Sequence, residues 1–210
     1  MARTASPRFD HWRKIAGNDM VGHRKTWEIA YILAALDEHG MIAEGKRGLG
    51  FAVGQEPLSS VLAARGCSIV ATDLASDDSR IQHWEESQQW AGGAASLYKP
   101  DIVDRETFDR NVSHRAVDMN RIPEDLSGFD FTWSTCSFEH CGSLDLGIGF
   151  LRNQMKCLRP GGVAVHTTEF NLTSNDHTLE TETISIFRLR DIERAVLALR
   201  EDGHDVAPID

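Results

Sequence analysis

The residues whose type and spacing could do chemistry fall into two groups. The first is a glycine-rich turn followed by two acids. In Gly48-Leu-Gly50-Phe-Ala-Val-Gly54 a backbone with few side chains could lie against a ligand and present N–H groups at a helix N-terminus. Any tight strand-to-helix turn also favours glycine, so this stretch alone discriminates little. Asp73 ends the next apolar run, Ser68-Ile-Val-Ala-Thr-Asp73. A carboxylate at that tip can accept hydrogen bonds from both hydroxyls of a ribose. Asp118-Met119 ends a third run. There the acid could accept from an adenine amino group and the apolar neighbour could pack on the ring, although Asp118 ahead of Pro123 also suits an ordinary turn.

The second group follows the fourth and fifth apolar runs. Glu139-His140 comes just after Phe129-Asp-Phe-Thr-Trp-Ser134, and an imidazole with an unperturbed pKa near 6.5 suits a general base. As a polar pair at a helix start it could equally be solvated. His166-Thr-Thr-Glu169 closes the fifth run; His166 reads as well as a hydrogen-bonded core histidine, and Glu169 is the better candidate to touch a substrate. Together these four residues could bind a divalent ion, but they lack the tight ligand spacing of a metal site, so none is expected. Cys136 lacks the preceding proline that a cytosine C5 nucleophile would carry.

Strands separated by helices must position these groups. Apolar residues recur at helical spacing from His23 to His39 (Trp27, Ala30, Ile32, Leu33, Leu36), and residues 1–20 read as irregular. Strands are expected at Arg47–Phe51, Ser68–Asp73, Val112–Val117, Phe129–Ser134 and Val163–Thr168. Helices are expected from about Pro57 to Arg65, over Ser143–Leu158 and over Leu189–Glu201, with a polar helical region around Trp84 and Trp90. Asp205–Ile209 reads as a sixth strand. The expected fold is therefore α/β: a doubly wound, Rossmann-like, mostly parallel sheet with helices on both faces. Residues 1–45 would form an N-terminal helical cap and residues 46–210 the nucleotide-binding domain. Ligands in such sheets sit beyond the carboxyl ends of the strands, where strand order reverses.

The chain resembles the Class I S-adenosylmethionine-dependent methyltransferases, in particular the group acting on small molecules. Gly50-Phe-Ala-Val-Gly54, Val70-Ala-Thr-Asp73, Val117-Asp-Met119, Phe129-Asp-Phe-Thr-Trp-Ser-Thr-Cys-Ser-Phe-Glu-His140 and Leu158-Arg-Pro-Gly-Gly162 follow the family's order and spacing. The resemblance implies S-adenosylmethionine as cofactor. It places Gly50 and Gly54 near the methionine part, Asp73 at the ribose with Leu74 beside the adenine, Asp118 and Met119 at the adenine, and Ser134-Thr135 beside the sulfonium. Two positions depart from the pattern. Ala52 stands at the middle glycine, and Gly48 stands where an acid is often found; Glu56 is the residue that could supply that charge by reaching back. The family's sheet also usually closes with an antiparallel strand, which would lie beyond this sequence or be replaced by a partner.

Composition narrows the function further. A net charge of -10 counts against nucleic acid as substrate, because phosphate binding calls for a basic face. Only the opening segment is basic (Arg3, Arg8, Arg13, Lys14, Arg24, Lys25). It reads as a solvated end, with an anionic acceptor at His23-Arg24-Lys25 as the alternative. No apolar run is long enough to span a membrane, and four cysteines without CxxC spacing suit a cytoplasmic protein. The expected reaction is methyl transfer to a small-molecule acceptor, at an oxygen of a sugar or other hydroxylated metabolite, with a homo-oligomer left open. The rival readings are an NAD(P)-dependent oxidoreductase or epimerase, which lacks its G-x-G-x-x-G and Tyr-x-x-x-Lys pair here, and a non-catalytic binding module.

Overall fold

A computed structural model describes residues 7–15, 24–86 and 89–209. Five strands, β1 (Arg47–Gly50), β2 (Ser68–Asp73), β3 (Val112–Ala116), β4 (Phe129–Thr135) and β5 (Leu158–Thr167), form one sheet in the order β3-β2-β1-β4-β5. Every neighbouring pair is parallel. All seven residues of β4 are buried, the pattern of a parallel strand covered on both faces. Its Asp, Ser and Thr side chains survive burial because each is bonded: Thr132 Oγ1 donates to Gln154 Oε1 at 2.6 Å, Asp130 accepts from the Arg47 amide at 2.8 Å and from Arg159 Nε at 2.8 Å, and Ser134 and Thr135 pair with His166 and Glu56.

Helices α1 (Pro7–Ile15), α2 (Arg24–Glu38), α3 (Leu58–Ala63), α4 (Gln82–Glu86), α5 (Ala94–Leu97), α6 (Arg105–Asn111), α7 (Leu144–Gln154) and α8 (Leu189–Glu201) complete the described residues. Two apolar clusters separate them. One joins Trp12, Ile29, Leu33, Val61, Phe108, Phe131 and Trp133, and so unites α1, α2, α3 and α6 with the sheet. The other joins Leu49, Phe51, Phe129, Phe138, Phe150, Phe187 and Ala195, which brings in α7 and α8. The arrangement is doubly wound, and strand order reverses between β1 and β4.

Several expectations change. Residues 7–15 are helical. Pro7 is tolerated at a first helical position, and Phe9 and Trp12 are buried, with Trp12 Nε1 donating to Asp37 at 3.1 Å and Arg8 paired to the same carboxylate. The second helix begins at Arg24; His23 lies outside the described residues. Arg159-Pro-Gly-Gly162 belongs to an irregular first half of β5, which is out of regular register with β4 between Phe129 and Phe131. Residues 204–209 form no strand. The short helices α5 and α6 were not expected.

Candidate functional site

The turn after β1 shows what its glycines do. A Cβ on Gly48 would run into the Phe131 ring and come within 2.9 Å of Ile69 Cδ1, and one on Gly50 would run into Trp133. Both glycines therefore let the β4 aromatics lie flat against β1. Beyond them the backbone turns over: the Phe51 amide donates to Trp133 O at 2.9 Å and the Val53 amide to Thr72 O at 3.1 Å. Ala52 has φ +45° and Gly54 φ +54°. Ala52 thus keeps the left-handed conformation natural to glycine, at a cost of about 1–2 kcal/mol for a residue with a Cβ.

Asp73 ties this turn to the next strand. Its Oδ2 accepts from the amides of Gly54 at 3.1 Å and Ala91 at 3.2 Å, and its Oδ1 from the Leu74 amide at 2.9 Å. Burial pushes the carboxyl up, and the three amides oppose that shift. A carboxylate offers about four acceptor positions, so one remains for a ligand hydroxyl. The Leu74 carbonyl accepts from Trp90 Nε1 at 3.0 Å, and the Trp90 carbonyl accepts from Gln55 Nε2 at 3.2 Å. Residues 89–91 therefore cross the turn.

Asp118 lies past β3. Its Oδ1 accepts from the Asn120 amide at 2.9 Å and its Oδ2 from Arg80 Nη2 at 2.8 Å, while the same Arg80 nitrogen also pairs with Asp78 at 2.6 Å. Met119 is buried. Trp84 meets His140 edge-on, with centroids 4.6 Å apart.

A ring of charged side chains lies at the carboxyl ends of β4 and β5. The β4 terminus carries Thr135 and Cys136, and α2 crosses it with Arg24, Lys25 and Glu28. Lys25 Nζ donates to Glu56 Oε1 at 3.0 Å and to the Thr135 carbonyl at 3.1 Å, and lies 3.4 Å from Glu28. Thr135 Oγ1 donates to Glu56. Burial pushes the Glu56 carboxyl up against the pull of Lys25. Burial acts to lower Lys25, but Glu56 and Glu28 outweigh it and hold the ammonium above its ordinary value. Cys136, at φ +44°, donates its thiol to Glu28 Oε1 at 3.1 Å. Burial and the acids around it, Glu139 and Glu28, raise its pKa far above the usual range, so it is no thiolate nucleophile. Arg24 pairs with Glu169.

Glu139 stands in the 3-10 turn Phe138–His140 and is fully buried. Thr168 Oγ1 donates to its Oε2 at 3.0 Å, while its Oε1 has no hydrogen-bond partner. Burial pushes its pKa up to about 7. The loop between β5 and α8 folds over this turn: the Ser185 amide donates to the Glu139 carbonyl at 2.8 Å, and His140 Nδ1 donates to Thr183 O at 2.7 Å. His166 is placed differently. Its Nδ1 lies 2.8 Å from Ser134 Oγ, its Nε2 is inaccessible without a partner, and burial pushes its pKa down to about 3. It is a neutral histidine whose ring lies edge-on to Phe150.

The structure thus places Gly50, Ala52, Gly54 and Asp73 in one bonded unit. Glu56, Thr135, Glu139 and Glu169 lie at the carboxyl edge of β4 and β5. Ser134 and His166 pair with each other inside the sheet, and Gly48 serves packing. Lys25, Glu28 and Thr168 belong to the charged ring, and none was singled out in the sequence as part of it. Charges on a helix start read as solvated, and their partners lie 31 and 108 residues away. Among the described residues no group of three or more His, Cys, Asp or Glu could hold a metal ion, and no helix is long and apolar enough to cross a membrane.

No family model matches the chain, and no curated protein matches it. Solved structures do resemble it. A chain of the complex between the Haloferax volcanii Trm112 methyltransferase activator and a candidate methyltransferase is 17% identical, with 96% of this chain and 78% of that chain covered and a TM-score of 0.58. The [4+2]-cyclase SpnF is 15% identical over 82% of this chain and 58% of its own, at 0.57. The glycopeptide N-methyltransferase MtfA is 15% identical over 83% of each chain, at 0.54. The chain spans about half, 49%, of a candidate sarcosine dimethylglycine methyltransferase from Galdieria sulphuraria. Similarity at this level concerns architecture: with its parallel β3-β2-β1-β4-β5 sheet, the chain has the Rossmann-like fold of the Class I methyltransferases.

Proposed function

We propose that this protein is an S-adenosylmethionine-dependent methyltransferase acting on a small molecule, at an oxygen of a sugar or other hydroxylated metabolite. One observation carries the reading. At the point where strand order reverses, the Ala52–Gly54 turn is bonded through the Gly54 amide to the Asp73 carboxylate at 3.1 Å, which is where a nucleoside ligand is expected in such sheets. Fold alone would not suffice, because one similar structure is a cyclase.

The residues present fit the cofactor. Gly50, Ala52 and Gly54 leave its methionine part close to backbone, Asp73 keeps one acceptor position for a ribose hydroxyl, and Asp118 and Met119 flank the adenine position beside Leu74. Glu56, linked to Lys25 and Thr135, supplies the charge that Gly48 lacks. Ser134 is held inward by His166, so Thr135 is the better neighbour for the methyl-bearing end. We take residues 1–45 as a cap, through α2, over the domain formed by residues 46–210.

When bound, the cofactor supplies an electrophilic methyl group. The protein must then align the acceptor, exclude water and accept a proton. Glu139 is suited to the last task, because a carboxyl held at about 7 is poised for proton transfer near neutrality. Glu169 and His140 flank it as acceptor contacts.

Calorimetric titration with S-adenosylhomocysteine and with NAD tests the reading. Micromolar binding of the former is expected, weakened roughly tenfold or more in Asp73→Asn, in line with about 1.5–3 kcal/mol for a hydrogen bond to a charged group. Binding of NAD in its place would overturn the proposal, and binding of neither would favour a module without catalysis.

A further inference from the structure

The base assigned above is sealed from any acceptor. Glu139 is 0% exposed, and its Oε1 is both inaccessible and unbonded. A proton can reach such a group only through a polar side chain that touches it and also reaches the rim of the site. Ser185, whose amide is bonded to the Glu139 carbonyl, is itself fully buried and leads nowhere. His140 directs Nδ1 to Thr183 O. Thr168 is different: half-buried just past β5, it donates Oγ1–H to Glu139 Oε2 at 3.0 Å. Next to it stands Glu169, whose side chain is 30% exposed and paired with Arg24.

A hydroxyl has one hydrogen and two acceptor lone pairs. The contact from Thr168 Oγ1 to the Glu169 carbonyl is longer, at 3.4 Å, so the hydrogen is committed to Glu139 and the lone pairs remain to accept. We propose that Thr168 is a proton relay, joining an acceptor hydroxyl at the rim to the buried carboxylate of Glu139. The inference rests on the methyltransferase reading and deepens it.

The step balances as follows. The acceptor O–H bond breaks and its proton binds Thr168 Oγ1, while the proton already on Thr168 passes to Glu139 Oε2. The acceptor oxygen uses the freed electron pair to bond the methyl carbon, and the pair of the carbon–sulfur bond stays on sulfur. One carboxylate and one sulfonium charge disappear together, and Thr168 ends as a hydroxyl again.

The relay can be tested without cofactor or acceptor, by following the Glu139 carboxyl band in the infrared after a pH jump across neutrality. The band is assigned by its loss in Glu139→Gln. Thr168→Val keeps the shape and removes the hydroxyl, so the band should respond about a hundredfold more slowly, the lower end of what positioned acid–base groups contribute. Thr168→Ser should restore the wild-type rate, which a purely structural role for the threonine methyl would not do. An unchanged rate in Thr168→Val would overturn the relay while leaving homocysteine-cofactor binding and the base untouched. A spectrum that Glu139→Gln does not alter would overturn both relay and base, and failure of the S-adenosylhomocysteine titration would be seen separately.

Discussion

Replacing Glu139 by glutamine should abolish a specific slope in the pH dependence of stability. The carboxyl is raised from 4.5 to about 7 on folding, chiefly by burial. The folded state therefore binds its proton more tightly than the unfolded chain does. Below pH 4.5 both states hold the proton and the group is neutral in its effect. Between pH 4.5 and about 7 the unfolded chain ionises first, and stability falls as pH rises. Above about 7 the loss is complete. Two and a half units at 1.36 kcal/mol each amount to about 3 kcal/mol. Glutamine has the same shape, can accept the Thr168 hydrogen bond, and cannot ionise. Urea unfolding of both proteins from roughly pH 4 to pH 8 should give equal stability at the acid end and a variant more stable by about 3 kcal/mol at the alkaline end. In thermal melts that corresponds to roughly 6–12 °C for a chain of this size. Taking the difference cancels the titrating groups that do not interact with Glu139. A difference curve that stays flat through the window would refute the claim that burial of Glu139 outweighs the hydrogen bonds it accepts.

Other substitutions test the packing and charge around it. Gly48→Ala and Gly50→Ala place a Cβ against Phe131 and Trp133, and each should lower stability by about 1–3 kcal/mol or more in urea melts. Lys25→Met removes the ammonium from the partly buried Glu56 carboxylate and from the buried Glu28 beside it and should lower stability by about 1–3 kcal/mol; adding Glu56→Gln should recover part of that loss, and simple additivity in the double-mutant cycle would exclude coupling within the pair. Trp12→Ala removes a buried ring and its bond to Asp37. It should lower stability by about 3–5 kcal/mol and expose residues 7–15 to limited proteolysis.

The sheet was legible because β2, β4 and the second half of β5 are short, largely apolar runs ended by a turn or an acid; four strands fall within a residue of expectation, and β5 begins five residues earlier, at Leu158. What escaped notice did so for identifiable reasons. α1 buries only Phe9 and Trp12 among its charged residues, too few positions to show a helical period. α6 buries Phe108 alone. The expected strand at Asp205–Ile209 has the right composition but no strand to pair with among the described residues. In the site, Asp73 and the Ala52–Gly54 turn were legible because chain spacing fixes them across one strand, one turn and one helix. Glu139 read either as part of a catalytic pair or as solvated; the contacts that cover it come from Thr168 and Ser185, far along the chain. Lys25 read as part of a solvated helix start, or as a contact for an anionic acceptor, until β4 and the Glu56 side chain are set beneath it; Glu28 carried no signal in the sequence.

That division has a chemical consequence. The Ala52–Gly54 turn and Asp73 are built from neighbours in sequence, and a similar overall fold occurs in a cyclase, so the fold by itself does not fix the chemistry. The charged ring is built from residues far apart in sequence, on α2, the tips of β4 and β5 and the loop before α8. Within it the thiol of Cys136 is pushed up and occupied by Glu28, and His166 is neutral and held by Ser134. The group left with a pKa near neutrality and an unbonded atom is Glu139. An acceptor that must lose a proton as it attacks gains from such a group; an acceptor already free of its proton gains nothing and would leave a buried carboxyl with a cost and no use. Within the proposed function, the cost that Glu139 imposes on the fold fits an acceptor that gives up a proton as it attacks, a requirement that an O–H or an N–H group would meet alike.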